Sequence, residues 1–367
     1  MPIRTLRVEG YRSVRELRLR LRDINVLTGP NGSGKSNLYN SVFLLAKAAA
    51  GGLSPVIAEE GGMPSVLWAG PRARKDPVRL VLSVDTDTFS YELLLGLPPH
   101  QPGAPTAFKL DPEVKEERVW MKSGAGKVTF FERKPGVTWI RDREGVRGNY
   151  SGELYPTESV LSQLREPHLY PELSTLRSEM AQWRFYHHFR TDTDSPLRRP
   201  QVGVRTPVLA HDGRDLAAAL QTIFEVGAHD ALNDAVAEAF GGARLIIEHS
   251  DAWFSVGLDM PSLSRTLDSR ELSDGTLRYL CLLAALLSPR PPSLLALNEP
   301  ETSLHPDLLE PLAKMMVAAA TRSQLWVVTH SLRLAELVER HSKQSPIRLE
   351  LHRGETRIVG QGLIDSE

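Results

Sequence analysis

Residues 29–36, Gly29-Pro30-Asn31-Gly32-Ser33-Gly34-Lys35-Ser36, carry the spacing G-x-x-x-x-G-K-[ST]. Glycines at 29, 32 and 34 free the backbone to curl until successive N–H groups point at phosphate oxygens. A helix opening at the lysine adds the positive pole of its dipole. In such a loop Lys35 reaches the β- and γ-phosphates of a nucleotide, and the Ser36 hydroxyl ligates Mg²⁺. The candidate nucleotide-binding stretch is therefore Gly29, Pro30, Asn31, Gly32, Ser33, Gly34, Lys35, Ser36 and Asn37.

Three further pieces fit the same chemistry. Apolar Leu294–Leu297 ends in Asn298-Glu299-Pro300, a Walker-B arrangement in which acidic groups emerge at the carboxyl edge of a parallel sheet. Glu299 is placed to polarise an attacking water; the plainer alternative is a solvated strand-end carboxylate. The next apolar run, QLWVVTHS, brings His330 to a strand end where it could touch a γ-phosphate. Elsewhere a lone histidine would be structural. Finally, Ser273-Asp274-Gly275 form a short turn before an apolar helix, a second anion-binding N-terminus. Ser273 could equally be only an N-cap. With one loop already holding a nucleotide, a second anion site makes most sense on the γ-phosphate of a partner subunit's nucleotide.

Behind these residues stand the elements that must position them. Leu17, Leu19 and Leu21 alternate with Arg18, Arg20 and Arg22, the period of a half-buried strand. Ile24–Leu27 is a short apolar strand, and Leu38, Val42, Leu45 and Ala46 repeat at helical spacing before Gly51-Gly52. Strand, glycine-rich turn, helix is the context a phosphate loop needs. From 76 to 205 the pattern becomes short antiparallel strands, with prolines 98, 99, 102 and 105 in a loop and helix near 157–182. Residues 213–240 read as helix closed by Gly241-Gly242. Helix then follows at 272–288, strand at 293–297, helix at 307–321, strand at 324–329 and a closing hairpin across Gly354-Glu355.

The order GPNGSGKS, LSDGT, LLALNEPETSLHP, VVTHS resembles that of ABC-type ATPase heads, in wording closest to the RecF/SMC/OLD-like branch. The likeness covers about residues 1–50 and 206–345. It implies an α/β P-loop NTPase head, a parallel core sheet plus an antiparallel β-subdomain, with an inserted β-rich and partly helical lobe. The corresponding division is 1–75 and 206–367 for the head and 76–205 for the insert. It also implies ATP and Mg²⁺ as cofactors and a head-to-tail dimer closing on two nucleotides. Ser273, Asp274 and Gly275 then serve the partner's nucleotide, Ser303-Leu304-His305 resemble the D-loop, and Arg12 of GYRS is a candidate nucleotide contact. Lys35, Glu299 and His330 are the catalytic candidates, and Ser36 and Asn298 the metal candidates.

Two departures touch the metal. The family usually has Asp where this chain has Asn298, which keeps an oxygen for a Mg²⁺-bound water but removes a charge. No glutamine lies between Ser36 and Gln101, so the Q-loop ligand is missing or replaced. Slow turnover is the expectation. Long SMC-type arms are excluded because residues 52–271 contain 17 prolines and no sustained heptads. A Toprim-type nuclease domain is not expected either, since 37 residues follow His330; Asp85-Thr86-Asp87 and Asp192-Thr193-Asp194 read as strand-end or turn residues.

Composition sets the remaining bounds. Hydrophobic residues at 41% and charged residues at 24% are those of a globular chain, and a formal net charge of −1 provides no global field for nucleic acid. A single cysteine, Cys281, rules out an internal disulfide and cysteine-based metal clusters. No apolar run is long enough for a membrane span, so a cytoplasmic protein is expected. The stretch WRFYHHFR at 183–190, followed by Arg198, Arg199 and Arg205, could stack bases; the favoured alternative buries Trp183, Phe185 and Phe189 and leaves the arginines as a solvated rim. His187-His188 lack carboxylate or cysteine neighbours spaced for a metal, and the N-terminal arginines read as a solvated strand face. The function expected from resemblance is ATP hydrolysis in DNA repair or defence against foreign DNA. The alternative is an ATP-gated module recruiting a separately encoded effector.

Overall fold

A computed structural model describes residues 1–72, 78–98, 107–123 and 126–360. The prolines at 99, 102 and 105, and Gln101, lie outside them. Packing divides the chain into two compact units: residues 1–22, 29–183 and 347–367, and residues 23–28 and 184–346.

The first unit is built on an antiparallel sheet of β1 (Ile3–Tyr11), β2 (Val14–Arg20), β4 (Arg79–Thr86), β5 (Phe89–Gly96), β6 (Glu113–Ser123), β7 (Gly126–Lys134), β8 (Val137–Arg141) and β9 (Arg147–Asn149), in the order 2-1-4-5-6-7-8-9. Along β2, Leu17 and Leu19 are buried while Arg18 and Arg20 are exposed, as the alternation predicts. Helices α1 (Lys35–Ala50), α2 (Leu53–Glu59), α3 (Met63–Val66), α4 (Val160–Gln163) and α5 (Pro171–Ala181) belong to this unit, α1 packing on α4 and α5. The hairpin of β17 (Ile347–His352) and β18 (Glu355–Ile358) completes it. Among the described residues the longest helix is α1, at 16 residues, so no coiled-coil arm leaves the sheet.

Under this sheet lies a buried carboxylate. Glu117 of β6 is 1% exposed and accepts hydrogen bonds from Tyr91 Oη (2.7 Å), Ser159 Oγ (2.6 Å) and the Val160 N–H (2.8 Å). Burial pushes its carboxyl above the ordinary 4.5, and the three donors pull the other way. A glutamine that keeps its oxygen on the Val160 N–H places an NH₂ where the Tyr91 and Ser159 hydroxyls now donate, so both would have to turn and accept. Glu117→Gln is therefore expected to destabilise the protein by about 1–3 kcal/mol. Because the folded-state value is raised, the neutral acid's contribution is complete below the unfolded value and fades as pH rises through the folded one. The wild type's advantage over Glu117→Gln in denaturant titrations should shrink as pH climbs from 4.5 towards neutrality; an advantage independent of pH would refute this account.

The second unit contains the parallel strands β3 (Ile24–Thr28), β10 (Arg184–Tyr186), β15 (Leu294–Asn298) and β16 (Gln324–Val328), in the order 10-15-16-3. β3 and β16 are buried at every position, which is why such strands read as unbroken apolar runs. A small antiparallel sheet comprises β11 (Gln201–Val202), β12 (Arg244–Ser250), β13 (Trp253–Asp259) and β14 (Leu267–Asp268). Helices α6 (Leu216–Val226), α7 (His229–Ala239), α8 (Asp274–Leu286), α9 (Leu309–Ala319) and α10 (Leu332–Ser342) complete the unit. The core joins Leu295, Leu297 and Val327 of the sheet to Leu277, Leu280 and Leu283 of α8.

Three details depart from the sequence reading. The stretch expected as one helix over 213–240 breaks at Gly227, whose extended backbone separates α6 from α7. Strands β4 onward share one sheet with β1 and β2, and β10 pairs with β15, so packing divides the chain elsewhere than at 75/76 and 205/206. Arg198, read as part of a solvated rim, is 8% exposed. The aromatic expectation holds: Trp183, Phe185 and Phe189 are buried, leaving no ring of the three open for stacking.

Candidate functional site

In the first unit the residues 29–36 form the curled loop their spacing predicts. Gly29, Gly32 and Gly34 have φ of +153°, +77° and +96°, a region that side chains resist. The loop is also packed tightly. A side chain on Gly34 would run into Thr356 of β18, and one on Gly29 into the Leu349 carbonyl of β17. Lys35 opens α1, is 3% exposed and donates from Nζ to the carbonyls of Gly29 (2.7 Å) and Pro30 (2.9 Å). Its charge is thereby held over the loop. Ser36 is exposed, and Ser33 Oγ is buried without a hydrogen-bond partner.

The GYRS turn meets this helix through its serine. Ser13 Oγ lies 2.7 Å from Thr356 Oγ1 and accepts from Asn37 Nδ2 at 2.8 Å. Arg12, the residue singled out from sequence, has φ +47° and pairs with Glu60 at 2.8 Å.

In the second unit the strand ends carry the acidic pieces. β15 ends at Asn298, whose Oδ1 is buried without a hydrogen-bond partner. Glu299 follows with φ +48°, a conformation that costs a non-glycine residue about 1 kcal/mol or more. Its N–H donates to Val328 O of β16 (2.8 Å), and its Oε1 lies 2.9 Å from His330 Nε2. Two residues on is a carboxylate that the sequence reading passed over. Glu301 Oε1 accepts from Thr329 Oγ1 (2.6 Å) and from the N–H groups of His330 (3.0 Å) and Ser331 (3.1 Å). One acid thus fixes the backbone that carries His330. The acidic repeat in Asn298-Glu299-Pro300-Glu301 was the available signal.

Ser273 N-caps α8, its Oγ accepting from the Thr276 N–H at 3.1 Å, as the plainer alternative holds. Asp274 is tied to Arg198 at 2.7 Å. The same guanidinium donates to the carbonyls of Ser269, Arg270 and Leu272, fixing the turn that leads into the helix. Gly275 is needed for close approach, since any side chain there would strike the Ser303 carbonyl. The Ser273–Gly275 turn and the Ser303-Leu304-His305 segment are therefore in direct contact. Among the described residues no three His, Cys, Asp or Glu side chains cluster to hold a metal. Magnesium at a phosphate loop takes a hydroxyl, phosphates and waters rather than a carboxylate cluster, and the exposed Ser36 hydroxyl has the chemistry of such a ligand.

Residues 24–336 match the family described as "AAA domain, putative AbiEii toxin, Type IV TA system". The chain belongs to that AAA-domain family. No curated protein matches it. Among solved structures, the AAA-domain chain is similar to an SmcHead bound to the C-winged helix domain of ScpA, with a TM-score of 0.51 and 14% identity, covering 99% of each chain. An Smc head domain with an extended coiled coil, bound to the C-terminal domain of ScpA and derived from Pyrococcus furiosus, gives 0.50 and 12%, covering 98% of this chain and 96% of that one. The SMC head domain from Thermotoga maritima gives 0.46 and 16%, covering 99% and 100%. The AAA-domain protein thus has the fold of an SMC-type ABC ATPase head, and no coiled coil occurs among its described residues. None of the helices among its described residues is long and apolar enough to cross a membrane.

Proposed function

We propose that the protein hydrolyses ATP to ADP and phosphate with Mg²⁺, as a head-to-tail dimer. The reading is carried by the Glu299–His330 pair, a carboxylate and an imidazole 2.9 Å apart at the carboxyl ends of neighbouring parallel strands. The residues from Gly29 to Asn37 cradle the phosphates, and Lys35 neutralises them. When bound, Mg²⁺ would be held by the Ser36 hydroxyl and would offset charge developing on the transferred phosphoryl group; the Asn298 oxygen would be the candidate to accept from one of the ion's waters. Glu299 orients the attacking water, and His330, donating from Nε2, fixes the carboxylate. Ser273, Asp274 and Gly275 present a helix N-terminus to the partner subunit's nucleotide. The setting proposed is DNA repair or defence against foreign DNA, in the cytoplasm.

A second reading is favoured by Asn298: a nucleotide-gated switch in which ATP closes the dimer to recruit a separately encoded effector, with hydrolysis as a slow timer. One experiment separates the two. ATP turnover and light-scattering mass are measured with Mg²⁺, with and without duplex DNA. Turnover accelerated by DNA supports the first reading, and ATP-driven dimerisation with turnover far below one per second supports the second. A monomer inert to ATP refutes both.

The metal assignment has its own test. A unit charge at about 4 Å is worth at most ~4 kcal/mol at an effective dielectric near 20, and less through a water. Asn298→Asp is expected to lower the Mg²⁺ concentration for half-maximal turnover by roughly ten- to a hundredfold. An unchanged Mg²⁺ titration would remove Asn298 from the metal's surroundings.

A further inference from the structure

We infer that Arg278 is a positioning residue for hydrolysis, holding Glu299 in its strained conformation from α8; this rests on the ATPase reading above. Arg278 interrupts the otherwise apolar stretch of α8 from Leu277 to Leu286 and is only 4% exposed. Burying a guanidinium is costly unless it is paired. Its Nη2 donates to the main-chain carbonyl of Glu299 at 2.9 Å, and its Nη1 lies 3.5 Å from His188 Nδ1, just beyond β10. Its Nε has no hydrogen-bond partner. Burial pulls the guanidinium below its ordinary value, with Glu301 the strongest opposing influence.

The position of this contact gives it a role. Glu299 sits at φ +48°, where a glutamate does not rest unless held. Its N–H is fixed by Val328 of β16, and its carbonyl by Arg278 and by the Thr302 N–H at 3.1 Å. Release of the carbonyl allows the peptide to rotate towards negative φ, which swings the carboxylate off His330. Arg278 stands one turn inside the helix that Ser273 caps, and Gly275 of the same turn rests on the Ser303 carbonyl. Movement of the helix N-terminus is therefore carried to the Glu299 backbone within a few residues. In the proposed dimer, capture of the partner's nucleotide at Ser273 would thus set the geometry of the Glu299 in the same chain.

Turnover, ATP affinity and unfolding temperature of Arg278→Gln and Arg278→Lys test the assignment. Arg278→Gln should lose roughly 10- to 100-fold in kcat, the scale of a small misplacement of a catalytic group, with the Kd for ATP within about twofold of wild type. Arg278→Lys keeps the buried charge and one donor to the carbonyl, so it should fold normally and recover part of the loss. It is the informative variant if the glutamine protein does not fold. An Arg278→Gln enzyme as fast as wild type, or a lysine variant whose ATP affinity falls in step with its turnover, overturns the assignment while leaving the ATPase reading standing. A wild-type chain that binds ATP without turnover overturns both.

Discussion

Replacement of Lys35 by alanine should abolish detectable ATP binding, not merely slow the reaction. The ammonium is buried and aimed at the loop, donating to the carbonyls of Gly29 and Pro30. In a nucleotide complex it trades these neutral acceptors for phosphate oxygens. Each charge-assisted hydrogen bond contributes about 1.5–3 kcal/mol; two of them correspond to roughly a hundredfold to ten-thousandfold in affinity. Arginine should not rescue the loss, because its planar fork does not fit a pocket shaped to a single ammonium. Titration of labelled ATP against wild type, Lys35→Ala and Lys35→Arg checks this. The alanine variant also removes the lysine donor from both loop carbonyls, of which that of Pro30 keeps the Ser33 N–H at 3.2 Å, so its unfolding temperature must be followed alongside. A folded Lys35→Ala protein that binds ATP within threefold of wild type would show that residues 29–36 are not the phosphate site.

How much of this was legible beforehand depends on the length scale of the cause. Phosphate-loop curvature is written in three glycines and a lysine, and the parallel strands in unbroken apolar runs, so both could be read directly. The break at Gly227 could not, because Gly241-Gly242 offered a stronger stop and the apolar spacing continues across it. Neither could the join between β1 and β4, a long-range pairing that local pattern does not encode. Arg12 and Ser13 differ instructively. A resemblance pointed to the arginine, whereas the side chain bonded to α1 belongs to the serine beside it. Arg198 and Arg278 were hidden for another reason. A buried arginine and an exposed one look alike in a sequence until the carbonyls that receive them, those of Leu272 and Glu299, are brought together by folding. Glu301 was within reach, as an acid two residues beyond Glu299, but its partners at 329–331 come from the next strand end.

Glu299→Gln should separate binding from chemistry. The amide retains nearly the shape of the carboxylate, and the backbone contacts to Val328 and Arg278 do not involve the side chain. The strained turn, and with it the fold, should survive. What is lost is a charge that can hold a water and accept its proton; the amide oxygen can still accept from His330 Nε2, which lies 2.9 Å from the carboxylate. General-base contributions are typically about 10²–10⁴-fold, so kcat should fall by that factor while the Kd for ATP stays within about threefold. Because the ATP-bound form then no longer resets, a dimer that is transient in wild type should accumulate and persist after gel filtration with ATP and Mg²⁺. His330→Ala offers the complementary control: it removes the orienting group and keeps the base, so its loss should be smaller. The order of the three enzymes carries the argument. If Glu299→Gln turns over as fast as wild type, the carboxylate is only a solvated strand end and the nucleophilic water is held elsewhere. If glutamine and alanine variants are both silent and ATP still drives dimerisation, Glu299 and His330 act as one unit whose parts cannot be removed separately. That is the behaviour expected of groups joined by a single hydrogen bond at the ends of adjacent strands.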